Sequence, residues 1–253
     1  MLVIKAGGSV LTRKGDVPVF DRAAAARLAA ELALLREPFI LTHGTGSFGK
    51  PPAVRYGYLG GKIAPGAAPV ERINASLLEL HRAFLAELLA AGVRAASLPG
   101  PENFVLRAGR PVPADPAALA GLLGRGAAPV VSSGIFPDGA GGGTVVSSDA
   151  LAAGLARLFR PRLAVFLTDS DGVTGPGGRP LREAGARELL RACRPAPGDV
   201  SGGMAGKAAQ LARIAALGIP AAVTDGRRRG WGARLASGAL PGGTFVRPGR
   251  RPA

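Results

Sequence analysis

Residues 38–53 read PFILTHGTGSFGKPPA, and this stretch decides the architecture. Phe39, Ile40 and Leu41 form a short apolar run, followed at once by Gly44, Gly46 and Gly49. Such a run reads as a buried strand, and the glycines as a loop whose backbone must approach something closely. Lys50 closes the loop, and Pro51-Pro52 are expected to prevent an immediate helix. Exposed N–H groups with a lysine at the lip suit an anion, most often a phosphate.

Three readings compete for the loop. Gly44-x-Gly46-x-x-Gly49 has dinucleotide-binding spacing, but no helix start is legible after it and no ribose-binding acid follows about 20 residues on. Gly44-xxxx-Gly49-Lys50 nearly fits a P-loop, yet Pro51 sits where the Mg²⁺-binding Ser or Thr belongs and removes an N–H from the expected helix. The third reading needs the rest of the chain. A structural glycine turn stands beside all three.

At 253 residues the chain is long enough for one large α/β domain or two fused lobes. A hydrophobic fraction of 47% supports a real core, and no apolar run reaches the length of a membrane span. The opening MLVIKAGGSV has no basic region ahead of an apolar one, so it reads as a first strand rather than a signal peptide. Cys193 is the one cysteine, which excludes an intramolecular disulfide, and the cytoplasm is the expected compartment. The formal charge of +15 favours small anionic partners such as nucleotides and phosphorylated metabolites. Nucleic acid is not expected as a partner, because the arginines are scattered and aromatics, at 5%, are too few for stacking platforms. The dense clusters, Arg227-Arg228-Arg229 and residues 247–251, read as solvated surface.

A second anion-type loop opens the chain. Residues 2–6 are a short buried strand ending in Lys5, and Gly7-Gly8-Ser9 follow directly. Lys14 lies in the basic loop Thr12-Arg13-Lys14-Gly15, and Asp21 caps an alanine-rich helix that Pro38 stops. Residues 56–69 are glycine-rich and irregular, as in a lid over the second loop. Ile73, Leu77, Leu80, Phe84, Leu88 and Leu89 repeat at helical spacing, with His81 among them as a helix residue satisfied locally.

Further strands are expected over residues 93–98, 129–131, 163–167, 221–223 and 244–246, with hairpins over 104–112 and 135–146. Short helices are expected over 117–123, over 147–158 and near Trp231. Asp149 opens the 147–158 helix just past a strand end, where α/β sheets place their ligands. Thr168-Asp169-Ser170-Asp171-Gly172-Val173 ends the most hydrophobic strand and reads either as metal ligands or as a nucleotide-contact turn. Residues 199–207, DVSGGMAGK, open a helix with another set of free N–H groups and Lys207 on its first turns.

These motifs occur in the order seen in the amino-acid kinase superfamily, which the chain resembles over about residues 2–246. Within it the chain is similar to the isopentenyl phosphate kinases, through Gly46-Ser47-Phe48-Gly49 and Asp199-Val200-Ser201-Gly202-Gly203-Met204. The resemblance implies an α/β fold, an open αβα sandwich around a mainly parallel sheet. One domain would span residues 1–253, with an acceptor-binding lobe to about 148 and a nucleotide-binding lobe from about 149. The implied activity is transfer of the γ-phosphoryl of ATP onto the phosphate of a small isoprenoid monophosphate, with Mg²⁺ carried largely by the ATP phosphates. Relatives being commonly dimers, it also implies a homodimer.

By the same resemblance Lys5, Lys14 and Asp149 are catalytic, with Asp149 orienting the lysines. Lys5, Gly7, Gly8, Ser9, Gly46, Asp171, Gly203 and Lys207 fall on the ATP side, and Thr45, Gly49, Lys50 and Ser148 on the acceptor side. No residue is expected to ligate a metal directly. Two anions brought face to face need neutralising charge, and an acceptor that is already an oxyanion needs no general base. Neither His43, held in a glycine turn, nor His81 has the look of one.

The departures from the family pattern lie on the acceptor side. Lys50 replaces the histidine that binds the acceptor's phosphate, and Thr45 replaces a loop glycine. Ser147-Ser148-Asp149-Ala150 stands for Ser-Gly-Asp-Asp, and Ser133-Gly134 for Gly-Asp. Alternative acceptors are therefore another phosphate monoester, a phosphonate such as fosfomycin, or a carboxylate. The alternative of another class is a noncatalytic nucleotide sensor or nucleic-acid binder, against which the intact lysine set argues.

Overall fold

Leu2, Val3 and Ile4 are fully buried, because the strand they form is covered on both faces. A computed structural model describes residues 1–58, 62–63, 69–137, 142–175, 178–193 and 203–249. The first half carries β1 (Leu2–Ala6), α1 (Arg22–Ala33), β2 (Phe39–His43), α2 (Gly46–Arg55), β3 (Lys62–Ile63) and α3 (Pro69–Ala90). Then come β4 (Ala95–Pro99), α4 (Gly100–Asn103), β5 (Phe104–Arg107), β6 (Arg110–Pro113), α5 (Pro116–Gly124), β7 (Ala128–Ser132), β8 (Gly134–Pro137) and β9 (Gly143–Val146). The second half carries α6 (Ser148–Phe159), β10 (Leu163–Thr168), β11 (Val173–Thr174), β12 (Pro180–Leu181), β13 (Glu183–Ala184) and α7 (Ala186–Ala192). It closes with α8 (Gly203–Ala216), β14 (Ala221–Asp225), α9 (Trp231–Ala236) and β15 (Thr244–Val246).

The main sheet runs β13-β15-β14-β10-β1-β2-β7-β4, and every neighbouring pair is parallel except β14 with β15. β1 pairs with β2 on one side and β10 on the other, so the two halves wind outward in opposite directions. A crevice opens at such a reversal, at the carboxyl ends of the strands. Lys5 and Thr168 lie there.

Helices cover both faces. Leu2, Ile4, Leu28, Leu32, Phe84, Leu88 and Trp231 pack together on the side of α1, α3 and α9. Val3, Phe166, Leu151, Leu155, Leu211 and Ile214 pack on the side of α6 and α8. Each fully buried leucine contributes about 1.5–3 kcal/mol, so these two layers hold the sheet rigid beneath the crevice. A third cluster (Phe48, Ile63, Ile73, Leu77, Leu80 and Ile135) joins α2 and α3 to the small sheet β3-β9-β8. No helix among the described residues is long and apolar enough to cross a membrane.

Several expectations need correction. α2 starts at Gly46, inside the glycine loop, and runs through Pro51 and Pro52 to Arg55. The helix start missing from the sequence is therefore there. Proline removes one ladder hydrogen bond without forbidding helical φ, and contacts of Phe48 with α3 hold the segment in place. α7 was not legible, its seven residues being too few for a clear period. Within the expected lid, Lys62–Ile63 form β3 against β9, while residues 59–61 and 64–68 lie outside the described residues.

Candidate active site

Strand alternation decides which side chains enter the crevice. Leu2, Ile4 and Ala6 face α1 and α3, whereas Val3 faces α6 and α8, and Lys5 shares the face of Val3. Ser147 caps α6 by accepting from the Ala150 N–H, which places Asp149 on the first turn. On α8, Lys207 falls on the buried stripe with Ala208, Leu211, Ile214 and Ala215. The result is convergence: Lys5 Nζ lies 2.9 Å and Lys207 Nζ 3.5 Å from the same Asp149 Oδ1.

Burial alone would raise the Asp149 carboxyl, but the Lys5 and Lys207 charges outweigh it and hold it below the usual range. Lys207 moves the other way. Desolvation, reinforced by the Lys5 charge, lowers its pKa to about 8 despite the pull of Asp149. Two cations on one carboxylate leave net positive charge facing the crevice, as a site for anions requires.

The two glycine loops meet above this cluster. A Cβ on Gly8 would lie 2.1 Å from the Gly46 nitrogen, and one on Gly44 would lie 2.7 Å from the Gly8 nitrogen. Gly46 has φ +50°, a conformation that favours glycine. Thr12 clips the loops together, its hydroxyl donating to the Gly8 carbonyl and accepting from the Ser47 N–H. Gly8 and Ser9 begin a short 3₁₀ turn, while the Gly7 N–H donates to the Leu167 carbonyl and is not available to an anion. This corrects the expectation that Gly7 presents its amide. Its position beside β10 makes it a ladder donor.

A cavity of about 770 Å³ opens here, and Lys5, Gly8, Ser9, Lys14, Asp149 and Gly203 line it. So do Thr45, Gly46, Gly49, Lys50 and Ser148 from the second loop and the start of α6. Its further wall is apolar, with Ile73, Leu77, Ile135, Val145 and Val146. Asp171 is not brought to this cavity. Its carboxylate faces Arg228 at 3.4 Å and Arg182 at 4.0 Å. Residues 199–202 lie outside the described residues. Among those described, no three His, Cys, Asp or Glu side chains group as metal ligands, and Asp169 pairs with Lys14 while Asp171 faces Arg228 and Arg182.

Both histidines lie elsewhere. His43 ends β2 on the face of Phe39 and Leu41, opposite to Lys5, and its Nε2 meets His81 Nδ1 at 2.8 Å. His81 Nε2 in turn reaches Ser97 Oγ at 2.9 Å. His81 is therefore satisfied across elements, not locally, and His43 belongs to the strand rather than the turn. The Gly44 carbonyl can only accept, so His43 Nδ1 carries its proton and the chain runs Ser97 to His81 to His43 to Gly44. Burial first, then the neighbouring ring, lowers His43 to about 3, and burial with Arg82 lowers His81 to about 4. Sequence reasoning found no contact for Thr12 or for Ser133, whose N–H and hydroxyl both donate to the His43 carbonyl, and it read Asp169 only within its turn, since only the pairing of β1, β2, β7 and β10 brings them here.

The sequence profile of the amino acid kinase family matches residues 1–225. The chain belongs to the amino acid kinase family. Among family relatives, isopentenyl phosphate kinase of Methanothermobacter thermautotrophicus is 30% identical over 89% of this chain and 91% of its own. Acetylglutamate kinase of Rubrobacter xylanophilus is 37% identical over 63% of this chain and 64% of its own. A solved isopentenyl phosphate kinase structure superposes with a TM-score of 0.76 at 25% identity, covering 97% of this chain and 99% of that one. The open, mainly parallel αβα architecture is thus that of the family, and the chain is a phosphotransferase.

Proposed function

We propose that this chain transfers the γ-phosphoryl group of ATP to the phosphate of isopentenyl phosphate, or a closely similar isoprenoid monophosphate, giving the diphosphate. The observation that carries this reading is the cavity's double character, lined both by the cations Lys5, Lys14 and Lys50 and by the apolar Ile73, Leu77, Ile135 and Val145. A small molecule with an anionic head and a hydrocarbon tail matches both. The likeness to isopentenyl phosphate kinases over most of both chains supports the same choice.

In this reading the acceptor occupies the part built from residues to about 148 and ATP the part from about 149. Lys5 and Lys14, with the Gly8 and Ser9 amides, neutralise charge on the group in flight, and Asp149 orients Lys5 and Lys207. Lys207 holds the nucleotide phosphates, with Gly46 and Gly203 beside them, while the Asp171 turn, outside the cavity, is left to the rest of the nucleotide. Thr45, Gly49, Lys50 and Ser148 hold the acceptor's phosphate, Lys50 replacing an imidazole with a longer and permanent charge. We assign Mg²⁺ to the ATP phosphates, since Asp149, Asp169 and Asp171 are engaged with lysines and arginines. The same reading carries a cytoplasmic homodimer whose partners are small anions rather than nucleic acid.

The test is an acceptor screen with ATP and Mg²⁺, following ADP release. Isopentenyl and dimethylallyl phosphate should be phosphorylated, and the corresponding alcohols should not, because no histidine among the described residues lines the cavity and Asp149 is engaged by Lys5 and Lys207. The rate with phosphate should rise through its second ionisation near pH ~6 and then flatten. Turnover of N-acetylglutamate or a free alcohol, with none of any phosphate monoester, would overturn the acceptor and leave only the family.

A further inference from the structure

Asp169 stands at the end of β10 without a role in the scheme above, and Lys14 is bound to it. Lys14 Nζ lies 3.0 Å from Asp169 Oδ2, with the lysine side chain 85% exposed and the aspartate 25% exposed. Lys14 lines the cavity, whereas Asp169 is not among the residues that do. The carboxylate thus grips the ammonium from outside the space where a substrate would lie.

We propose that Asp169 is a positioning residue that fixes the Lys14 ammonium over the cavity for phosphoryl transfer; this rests on the reading that Lys14 meets the transferred group. Four observations support it. An exposed lysine has a flexible four-carbon stem, so without a partner its ammonium would sample many places besides the one the reaction needs. Asp169 is itself held, its carboxylate accepting from Thr168 Oγ1 at 3.3 Å and its carbonyl from the Arg227 guanidinium. Arg227 is anchored by Asp225, which is 6% exposed. Burial would raise the Asp169 carboxyl, but Lys14 foremost, then its own backbone N–H and Ser9, hold it below its usual range.

The chain of contacts therefore runs from the buried end of β14 through Arg227 and Asp169 to a lysine that would otherwise be free in solvent. A pair this exposed adds little to stability, which leaves position as its physical effect. The grip takes one of three ammonium hydrogens and leaves two for phosphate oxygens.

Asp169→Asn, Lys14→Met and the double variant, each assayed with ATP and isopentenyl phosphate, decide the matter. Asp169→Asn should lower kcat about 10- to 100-fold with the acceptor KM within about threefold, and the double variant should be no slower than Lys14→Met alone. Multiplying losses in the double variant, or a faster Asp169→Asn enzyme, would overturn the proposal, the latter marking the pair as a parked lysine. Carboxyl ¹³C titration supplies a readout independent of turnover: the Asp169 pKa should rise in Lys14→Met, and an unmoved value would show that no grip exists. A Lys14→Met enzyme with unchanged kcat would defeat the scheme for Lys14 and this proposal together, while the multiplying outcome defeats this proposal alone.

Discussion

Gly8 and Gly46 are in such close backbone contact that a Cβ on Gly8 would lie 2.1 Å from the Gly46 nitrogen and 2.4 Å from its Cα. The obstacle is backbone, which cannot rotate aside as a side chain can. The contact sets the spacing of the two loops, and with it the spacing of any two anions held between them.

Gly8→Ala should therefore part the loops and lower kcat/KM at least about 100-fold, since ångström-scale misplacement of reacting groups costs that much. Gly124→Ala is the control, because a Cβ there meets nothing within 4 Å. Steady-state rates and thermal unfolding of both variants check this, and a fully active Gly8→Ala enzyme would show that the loops can separate harmlessly.

Asp149→Asn leaves the Lys5 and Lys207 ammonium groups close together without their shared carboxylate. We expect a loss of roughly 100-fold in kcat, similar to Lys5→Ala or Lys207→Ala, with the fold intact by circular dichroism. Losses in the double variants should not multiply, because the three side chains act as one unit.

Lys207, titrating at about 8, gives the enzyme a pH dependence. Phosphate oxygens prefer the ammonium form, so the KM for ATP should climb as pH rises past about 8, and Lys207→Arg should flatten the climb. The stability term follows from the same shift. The folded value lies below the ordinary 10.5, so the unfolded chain holds more protons between about 8 and 10.5. This group's contribution therefore improves as pH rises through that window, and charged Lys207 costs stability at pH 7. A flat ATP KM between pH 7 and 9 would remove Lys207 from nucleotide binding.

Lys50 lines the cavity from an exposed position on α2. Lys50→Ala should raise the acceptor KM about tenfold or more and leave that of ATP nearly unchanged. Lys50→His should retain activity and acquire a new dependence on pH around ~6.5 as the imidazole titrates. An effect confined to the ATP KM would reverse the assignment of the two parts of the site.

The His43–His81 pair makes a stability prediction instead. His81→Leu leaves His43 Nε2 buried without its partner and should cost about 1–3 kcal/mol in urea unfolding at pH 7.5, with kcat changed only a few-fold. Both folded-state values, about 3 and about 4, lie below the ordinary 6.5, so as pH falls the unfolded chain takes up protons first. Stability should decline from pH ~6.5 downward, and less steeply in the variant. Equal slopes would show that the pair does not govern acid unfolding.

The sequence by itself determined the longer strands and the places of the two glycine loops after them, but not the two-residue strands β3, β11, β12 and β13. Runs such as residues 39–41 and 163–167 are buried on both faces, so their hydrophobicity is a local property. Glycine after a strand, and a capping Asp21 whose carboxylate accepts from the Ala24 N–H, are likewise local chemistry. The same locality misled at Pro51-Pro52, where packing on α3 overrides an unfavourable propensity.

What only the tertiary structure decided was who meets whom. Nothing near Thr12 in sequence says that its hydroxyl joins two loops, or that the Gly7 amide is taken by Leu167. Two acids in one turn, Asp169 and Asp171, part company in space: one grips Lys14 and the other faces arginines. Lys5 and His43 each lie at the end of a strand, yet pleat alternation sends one to α6 and the site, the other to α3 and the core. Such contacts depend on strand order and on which helix covers which face, quantities set by burial of the whole chain at once and written in no single stretch of it.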